Sequence, residues 1–511
     1  MGTNRFPSLI ILIVGIIVLY SSIHILFFGD EIAFIKRNEV KSVNEALHLF
    51  DKKDYDGEYY RPIVNFAAGI LTYFFGYTVI LYRIFNALLH IINTLLLYYL
   101  GILIFKNNRN NKFISLGAAL LFLTFPIHDL AIIWHTDLTD RLMFTFYLSG
   151  LISFLKNIRV TSLSIVFFIL ALLSKEMAFS FPFIIFSAAY LLGKFDFKKA
   201  LVSSLPYFIL AIIFILLRFL VFNNNILSSN TLHAGFGLLV IVKNYALFLG
   251  VLIFPFFTYS IQEIVKNNFF AILISTLVIA VPFILIILKK VRSDKTFWFL
   301  VIFVLLAILP ASRLFMKWYL YLPSSGFTLL VSYLLYSLIS KERIAVIIVT
   351  LLVLLYSISL FASQRKWITL TRQADQILSK FTDDNKSELI GKKELLFLTI
   401  PAKVDNYPVL QLNFEEHLRY YLQLPISIDV LSRSNISSFD DEIILTKSDS
   451  VISLSQTNGN YFVLFGYEKN TKFVKPDLKN GELKRINIDN NFGSNESVFT
   501  FTNGKFKRIE Q

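Results

Sequence analysis

The chain is a succession of apolar runs, and that succession limits its fold more than any other feature. Runs of spanning or near-spanning length occupy about 7–28, 79–105, 113–127, 142–155, 161–174, 178–192, 200–222, 269–288, 297–311, 325–340 and 344–362. A bilayer core asks for roughly 20 apolar residues in a helix, so the shorter runs extend into flanking polar residues. With 55% of 511 residues hydrophobic and 16% charged, a soluble domain could not cover that much apolar surface. The fold class is therefore a polytopic all-α membrane protein of about eleven transmembrane helices. The first run is too long for a signal-peptide core and lacks a small-residue cleavage site, which predicts a retained span.

Lys and Arg set the orientation. The net charge of +14 suggests nucleic acid, but the basic residues sit in short loops between apolar runs, so no nucleic-acid partner is expected. Five such loops read as cytoplasmic: Lys106/Arg109/Lys112, Lys156/Arg159, Lys194/Lys198/Lys199, Lys289/Lys290/Arg292/Lys295 and Lys341/Arg343. The loops between them are neutral or acidic, and 29–62 holds eight acidic and six basic residues. The alternation works with a cytoplasmic N-terminus if 236–257 re-enters or lies on the outer interface. The absence of cysteine excludes disulfides, thiolate metal sites and Cys nucleophiles. A Lys-, Asn- and Ile-rich composition points to a bacterial inner membrane.

The membrane domain spans 1–363, with a first outer loop at 29–78, and the composition changes from Gln364 onward. Residues 364–381 read as an amphipathic connecting helix. Strand-like runs follow at Glu394–Ile400, Ile443–Leu445, Tyr461–Phe465 and Val498–Phe501, with one helical pattern at Leu410–Leu422. Residues 364–511 are thus expected to form a small extracytoplasmic α/β or α+β domain.

Several polar residues fall where they are costly. Asp30 and Glu31 stand where the first span emerges; a partly desolvated carboxylate there can hold a raised pKa and take a proton from a hydroxyl. The plainer alternative is a helix end in contact with water. His128, His135, Asp137 and Asp140 crowd one outer loop, which admits a divalent cation. Equally, Thr139 or Asp140 caps the next helix while His128 bonds inside the bundle. His90 lies inside a span, where a polar side chain needs a partner across the bundle. Arg61, Lys175, Arg218, Arg313 and Lys317 lie near outer helix ends. An Arg there can grip a phosphate bidentately, and a Lys acts on it as a point charge.

Several pieces occur in a meaningful order. After Asp30-Glu31 come Tyr60-Arg61-Pro62 and Tyr82-Arg83-Ile84-Phe85-Asn86-Ala87-Leu88-Leu89-His90. Phe125-Pro126-Ile127-His128 then precedes Trp134 and Asp140, followed by Leu173-Ser174-Lys175-Glu176 and Tyr321-Leu322-Pro323-Ser324-Ser325-Gly326-Phe327. Over residues 1–362 this resembles the membrane half of the transmembrane-and-TPR O-mannosyltransferases and their bacterial relatives, within the C-type glycosyltransferase (GT-C) superfamily. The chain departs from that pattern at Leu130, where a Glu is expected, and at Leu138, where an Arg is expected. Lys317-Trp318 replaces a Glu-Arg pair, and no tetratricopeptide repeats follow.

The resemblance implies inverting transfer of a sugar, a hexose such as mannose, from a polyprenyl-phosphate carrier to a protein Ser/Thr or an envelope glycan, with membrane lipids around it. Asp30 would be the base, Glu31 would orient the acceptor or tune Asp30, and Asp140 would be a second acidic residue. Lys175 leads the phosphate-binding set of Arg61, Arg218, Arg313 and Lys317, with His128, Glu176 and Tyr321 as further site residues. The resemblance fixes no cofactor, and a divalent metal stays open. An acceptor such as lipid A is the alternative within the enzyme class; from other classes, a lipid-linked sugar flippase or a non-catalytic anchor for 364–511 are the rivals.

Overall fold

The computed structural model describes residues 6–51, 59–221, 237–256, 293–339, 341–392, 394–448, 451–456, 460–463, 473–479, 482–489 and 496–509. The expected span at 269–288 lies outside these. The described chain divides into two compact units: residues 6–23, 38–256 and 293–365 in the first, 24–37 and 366–509 in the second. The C-terminal division falls two residues from the expected boundary. The segment that contains Asp30 and Glu31 groups with the second unit.

The first unit is helical. Four described helices are long and apolar enough to cross a bilayer: Phe6–His24, Val79–Ile104, Phe197–Arg218 and Glu342–Leu389; a bent pair makes a fifth. Their free faces are aliphatic. On Phe197–Val221, Leu205, Ile209, Ile212 and Leu216 are exposed while Ser204, Tyr207 and Ala211 are buried. Such a surface needs lipid around it, and the protein is an integral membrane protein.

Val79–Ile104 shows why the bundle holds. Its 26 residues make a rod of about 39 Å. Arg83, Asn86, His90 and Asn93, three or four residues apart, all point inward and are buried, while Ile84, Leu88 and Ile92 face out. In lipid the polar stripe is the one that must find partners, so it fixes the helix rotation. The bent pair, Asn111–Leu123 with Pro126–Ile133, turns by 46°. Pro126 has no N–H and holds Phe125 extended (ψ 120), which ends the first helix there.

Within residues 29–78 the structure forms helix Pro62–Phe75. Pro62 suits the first helical position, where an N–H has no partner anyway. Helix Leu238–Ile253 packs on the stretch before Lys317: Asn244 Nδ2 donates to the Ser312 carbonyl (2.9 Å), and Phe248 lies 4.9 Å from Phe315 between ring centroids.

The second unit combines helix and sheet. Its described strands are β1 (Glu394–Phe397), β2 (Ile400–Val404), β3 (Ser427–Val430), β4 (Arg433–Ile436), β5 (Ile443–Lys447), β6 (Val451–Gln456), β7 (Tyr461–Val463), β8 (Phe473–Lys479), β9 (Glu482–Asp489), β10 (Glu496–Thr502) and β11 (Lys505–Arg508). One sheet runs β11-β10-β1-β3, with β1 parallel to both β10 and β3. The other runs β2-β4-β7-β9-β6-β5, with β8 also on β9. Phe381, Phe397, Phe414, Phe499 and Phe506 close the space over the smaller sheet, with ring centroids 5.0–5.9 Å apart. The expected helix at 410–422 forms at Phe414–Leu422. The expected amphipathic helix at 364–381 is the continuation of Glu342–Leu389.

Candidate active site

The site builds up from short connecting segments of the first unit. The chain leaves helix Ser162–Leu172 and turns sharply, with Lys175 extended (φ −163, ψ 148) before the 3₁₀ turn Glu176–Ser180. An extended residue between two helical ones sends neighbouring side chains in opposite directions. Lys175 and Glu176 accordingly reach different partners.

Lys175 Nζ forms an ion pair with Asp140, and both side chains are almost wholly buried, at 5% and 1% exposure. The ammonium also lies 4.7 Å from the centroid of the Tyr319 ring. Of the alternatives for this loop, the cap by Thr139 or Asp140 does not form: both sit inside the first turn of Leu138–Leu155, with Asp137 at the N-cap and no side-chain cap bond. Buried so deeply, Asp140 needs the Lys175 charge more than a helix end does. Asp137 shares a hydrogen bond with Asp140. Burial first, and then the Asp140 charge, pushes the Asp137 carboxyl well above the usual range, so Asp137 keeps its proton.

Glu176 takes the other direction. Arg61 Nη2 donates to Oε2 (2.9 Å) and Arg218 Nη1 to Oε1 (2.9 Å), so one carboxylate bridges two guanidinium groups. Burial alone would raise Glu176, but Arg61 and then Arg218 hold it down to about 2. Arg61 also lies over the Tyr59 ring at 4.2 Å. The Tyr319 hydroxyl is within electrostatic reach of Tyr59, Arg61, Asp140 and Glu176, so the two clusters meet around this one phenol.

A third ion pair joins Lys317 Nζ to Asp129 Oδ1 (2.6 Å), with Ser363 Oγ donating to Oδ2 (2.8 Å). Asp129 opens helix Asp129–Ile133 and Lys317 opens the turn Lys317–Leu320. Arg313 is placed on the turn between Leu309–Ala311 and Lys317–Leu320.

Behind the ion pairs lies a buried hydrogen-bond network. Tyr321 OH is 2.7 Å from His90 Nδ1 and accepts from Asn93 Nδ2 (3.2 Å). His90 Nε2 faces the Leu123 carbonyl (3.2 Å) and donates to it, so Nδ1 accepts from Tyr321. His128 lies between the Phe122 carbonyl (3.0 Å from Nδ1) and Ser324 Oγ (2.8 Å from Nε2). Among the described residues no three His, Asp or Glu side chains converge on a common point, and His128 and His90 are each engaged at both nitrogens.

The structure thus brings Arg61, Asp140, Lys175, Glu176 and Arg218 together, with Lys317 paired to Asp129 and with His128 and Tyr321 in the network behind. Asp30 and Glu31 belong to the second unit. Gly29 (φ 59) turns the chain ahead of helix Glu31–Arg37, its N–H bonded to the Val409 carbonyl (2.9 Å). Glu31 Oε2 folds back to accept from Phe28 N (3.0 Å), the Asp30 carbonyl accepts from Phe34 N (2.8 Å), and both residues are buried. Glu31 is therefore occupied as a helix-start acceptor.

Sequence reasoning missed Tyr319, Asn93, and Arg141 with Asn86. Arg141 Nη2 donates to Asn86 Oδ1 (2.9 Å), and Nη1 reaches the Ala131 and Trp134 carbonyls. This guanidinium ties down the loop ahead of Asp140. The signal was present: Asn86 and Asn93 share the inward stripe of Val79–Ile104.

No protein-family model and no curated protein matches the chain. Two solved structures have similar folds. The crystal structure of ArnT from Cupriavidus metallidurans bound to undecaprenyl phosphate overlaps 83% of this chain and 86% of its own, at 11% identity and a TM-score of 0.46. The apo structure of the same protein overlaps 82% and 85%, at 12% identity and a TM-score of 0.43. Overlap at that level leaves the residue roles in this chain to its own geometry.

Proposed function

We propose that this chain is an inverting membrane glycosyltransferase. It moves a sugar, a hexose such as mannose, from a polyprenyl-phosphate donor to an acceptor hydroxyl on the extracytoplasmic side, on a protein Ser/Thr or an envelope glycan. The observation that supports this best is the buried ionic assembly of Asp140–Lys175 and Arg61–Glu176–Arg218 around Tyr319. Cations held this way at the ends of apolar helices suit the phosphate of a lipid carrier whose tail stays in the bilayer.

In the proposed step the acceptor oxygen attacks the anomeric carbon and the bond from that carbon to the phosphate oxygen breaks. The polyprenyl phosphate leaves with the electron pair, and a carboxylate takes the acceptor proton. Lys175, Arg61 and Arg218 stabilise the departing phosphate, and Glu176 holds the two guanidinium groups on one carboxylate. Asp30 is the proposed base. Asp140 holds Lys175.

The test is sugar transfer from defined polyprenyl-phosphate sugars by the purified protein. Lys175→Ala should lower turnover by two or more orders of magnitude, in line with the loss of a preorganised charge at the transition state. Asp30→Asn should abolish transfer with donor binding intact, and unchanged turnover would remove Asp30 as base. Movement of carrier lipid across the bilayer with no new glycosidic bond would overturn the enzyme reading in favour of a flippase.

A further inference from the structure

We propose that the first unit carries a second lipid site, for the phosphate headgroup of an anionic phospholipid, in a basic cavity that the transfer reaction does not use. The cavity holds about 360 Å³. It is lined by residues from four of the loops whose Lys and Arg predict the cytoplasmic face, including Lys106, Ile158, Lys194 and Lys295. Loops that lie on one side by charge thus converge on one opening.

Its chemistry is that of an anion site with an apolar wall. Three lysines line it against one carboxylate, Asp294. That carboxylate is already committed: Oδ1 accepts from Thr296 N (2.8 Å) and Phe297 N (3.3 Å), and Oδ2 accepts from the Tyr333 hydroxyl. Among the described residues, Lys106, Lys194 and Lys295 hold no carboxylate in an ion pair. Leu103, Leu155 and Leu192 also line it, and the first carbons below a headgroup would rest against them. Juxtamembrane lysines attract anionic lipid by about tenfold or less each.

The backbone supports a built cavity. Among the described residues of the first unit, Ile158 (φ 49) and Lys194 (φ 56) are the only non-glycine residues with positive φ, and both line it. A β-branched residue in that region is strained, and such strain persists where surrounding structure imposes it. The turn Ala188–Leu192, which supplies another wall, is π-helical, a form that concentrates at functional positions. Gly193 closes the corner, because a Cβ there would lie 2.6 Å from the Ala189 carbonyl and 2.8 Å from Ile158 Cγ2.

The experiment is native mass spectrometry of the full chain in neutral detergent, titrated with phosphatidylglycerol or phosphatidylcholine. Phosphatidylglycerol should be retained preferentially. Lys106→Glu/Lys295→Glu should weaken it by about tenfold or more, Leu192→Trp should block it by filling the cavity, and Lys106→Arg/Lys295→Arg should keep it. Melting without lipid identifies any variant that fails to fold, and the other variants then decide. Equal retention of both lipids, or retention unchanged in both the Glu and Trp variants, overturns the proposal. Full displacement by millimolar inorganic phosphate also overturns it, by making this a free-phosphate site.

Discussion

The two charged regions of the first unit treat their cations in opposite ways. Around Tyr319, Lys175, Arg61 and Arg218 are almost enclosed, and each is held by a carboxylate. In the basic cavity, Lys106 and Lys295 are exposed and pair with none of the described carboxylates. Burial explains the contrast. An enclosed charge without a counter-charge costs several kcal/mol, whereas a hydrated lysine costs nothing to leave alone. The first region therefore holds its cations in place through carboxylates of its own, whereas the second leaves its lysines to solvent and to an external anion.

The sharpest way to break this comparison is Lys175→Ala, which strands Asp140 in a buried setting. Loss of about 3–5 kcal/mol is expected, read as a lower melting temperature in detergent. The double change Lys175→Met/Asp140→Leu should recover most of that stability and none of the activity. A single variant as stable as the parent would show that the pair is not enclosed.

Glu176→Gln comes next. It leaves Arg61 and Arg218 facing each other across a neutral amide, at a cost of about 3 kcal/mol. It should also weaken donor use, because the guanidinium groups lose their common anchor. Unchanged melting and unchanged donor affinity together would remove Glu176 from the assembly.

The third test uses pH and sets a buried imidazole against a paired carboxylate. His417 in the second unit is buried, and burial lowers it to about 4, against the weaker opposite pull of the Gly29 carbonyl. Its folded pKa lies below the unfolded value of about 6.5, so its contribution is complete above pH 6.5 and is lost as pH falls toward 4. The expected loss is roughly 2–3 kcal/mol. Glu176, also depressed, contributes fully above about 4.5 and loses its contribution only as pH falls toward 2. Between pH 6.5 and 4.5 hydrogen exchange should therefore rise around His417, and His417→Gln should flatten that dependence. An unchanged pH profile in that variant would refute it.

The smallest expected effect is Lys106→Glu in lipid-free detergent. A hydrated surface charge should change stability by no more than about 0.5 kcal/mol, even though the same change, paired with Lys295→Glu, should sharply reduce anionic-lipid retention. A large loss of stability would mean that this lysine has a hidden internal partner.

Much of this architecture was legible in the residue pattern, for a simple reason. A chain this apolar must put its helices in lipid, so runs such as 79–105 and 344–362 announced Val79–Ile104 and Glu342–Leu389 directly. Short motifs likewise marked Lys175, Glu176, Asp140 and Arg61. The partners were not readable. Lys175 could have paired with adjacent Glu176, yet it reaches Asp140, 35 residues away, because one extended residue at the turn separates their directions. Tyr319 and Arg141 were missed because an aromatic beside a Trp and an Arg in a helix carry no distinctive spacing.

Sequence alone determined that the chain lives in a membrane and which polar residues are too costly to be casual. Hydropathy and charge act locally, and a one-dimensional pattern records them. Only the tertiary structure decided which carboxylate neutralises which cation, that Glu31 is spent on starting a helix, and that four separated basic loops enclose one cavity. Those outcomes depend on distances between remote segments, and packing sets such distances after the helices have formed.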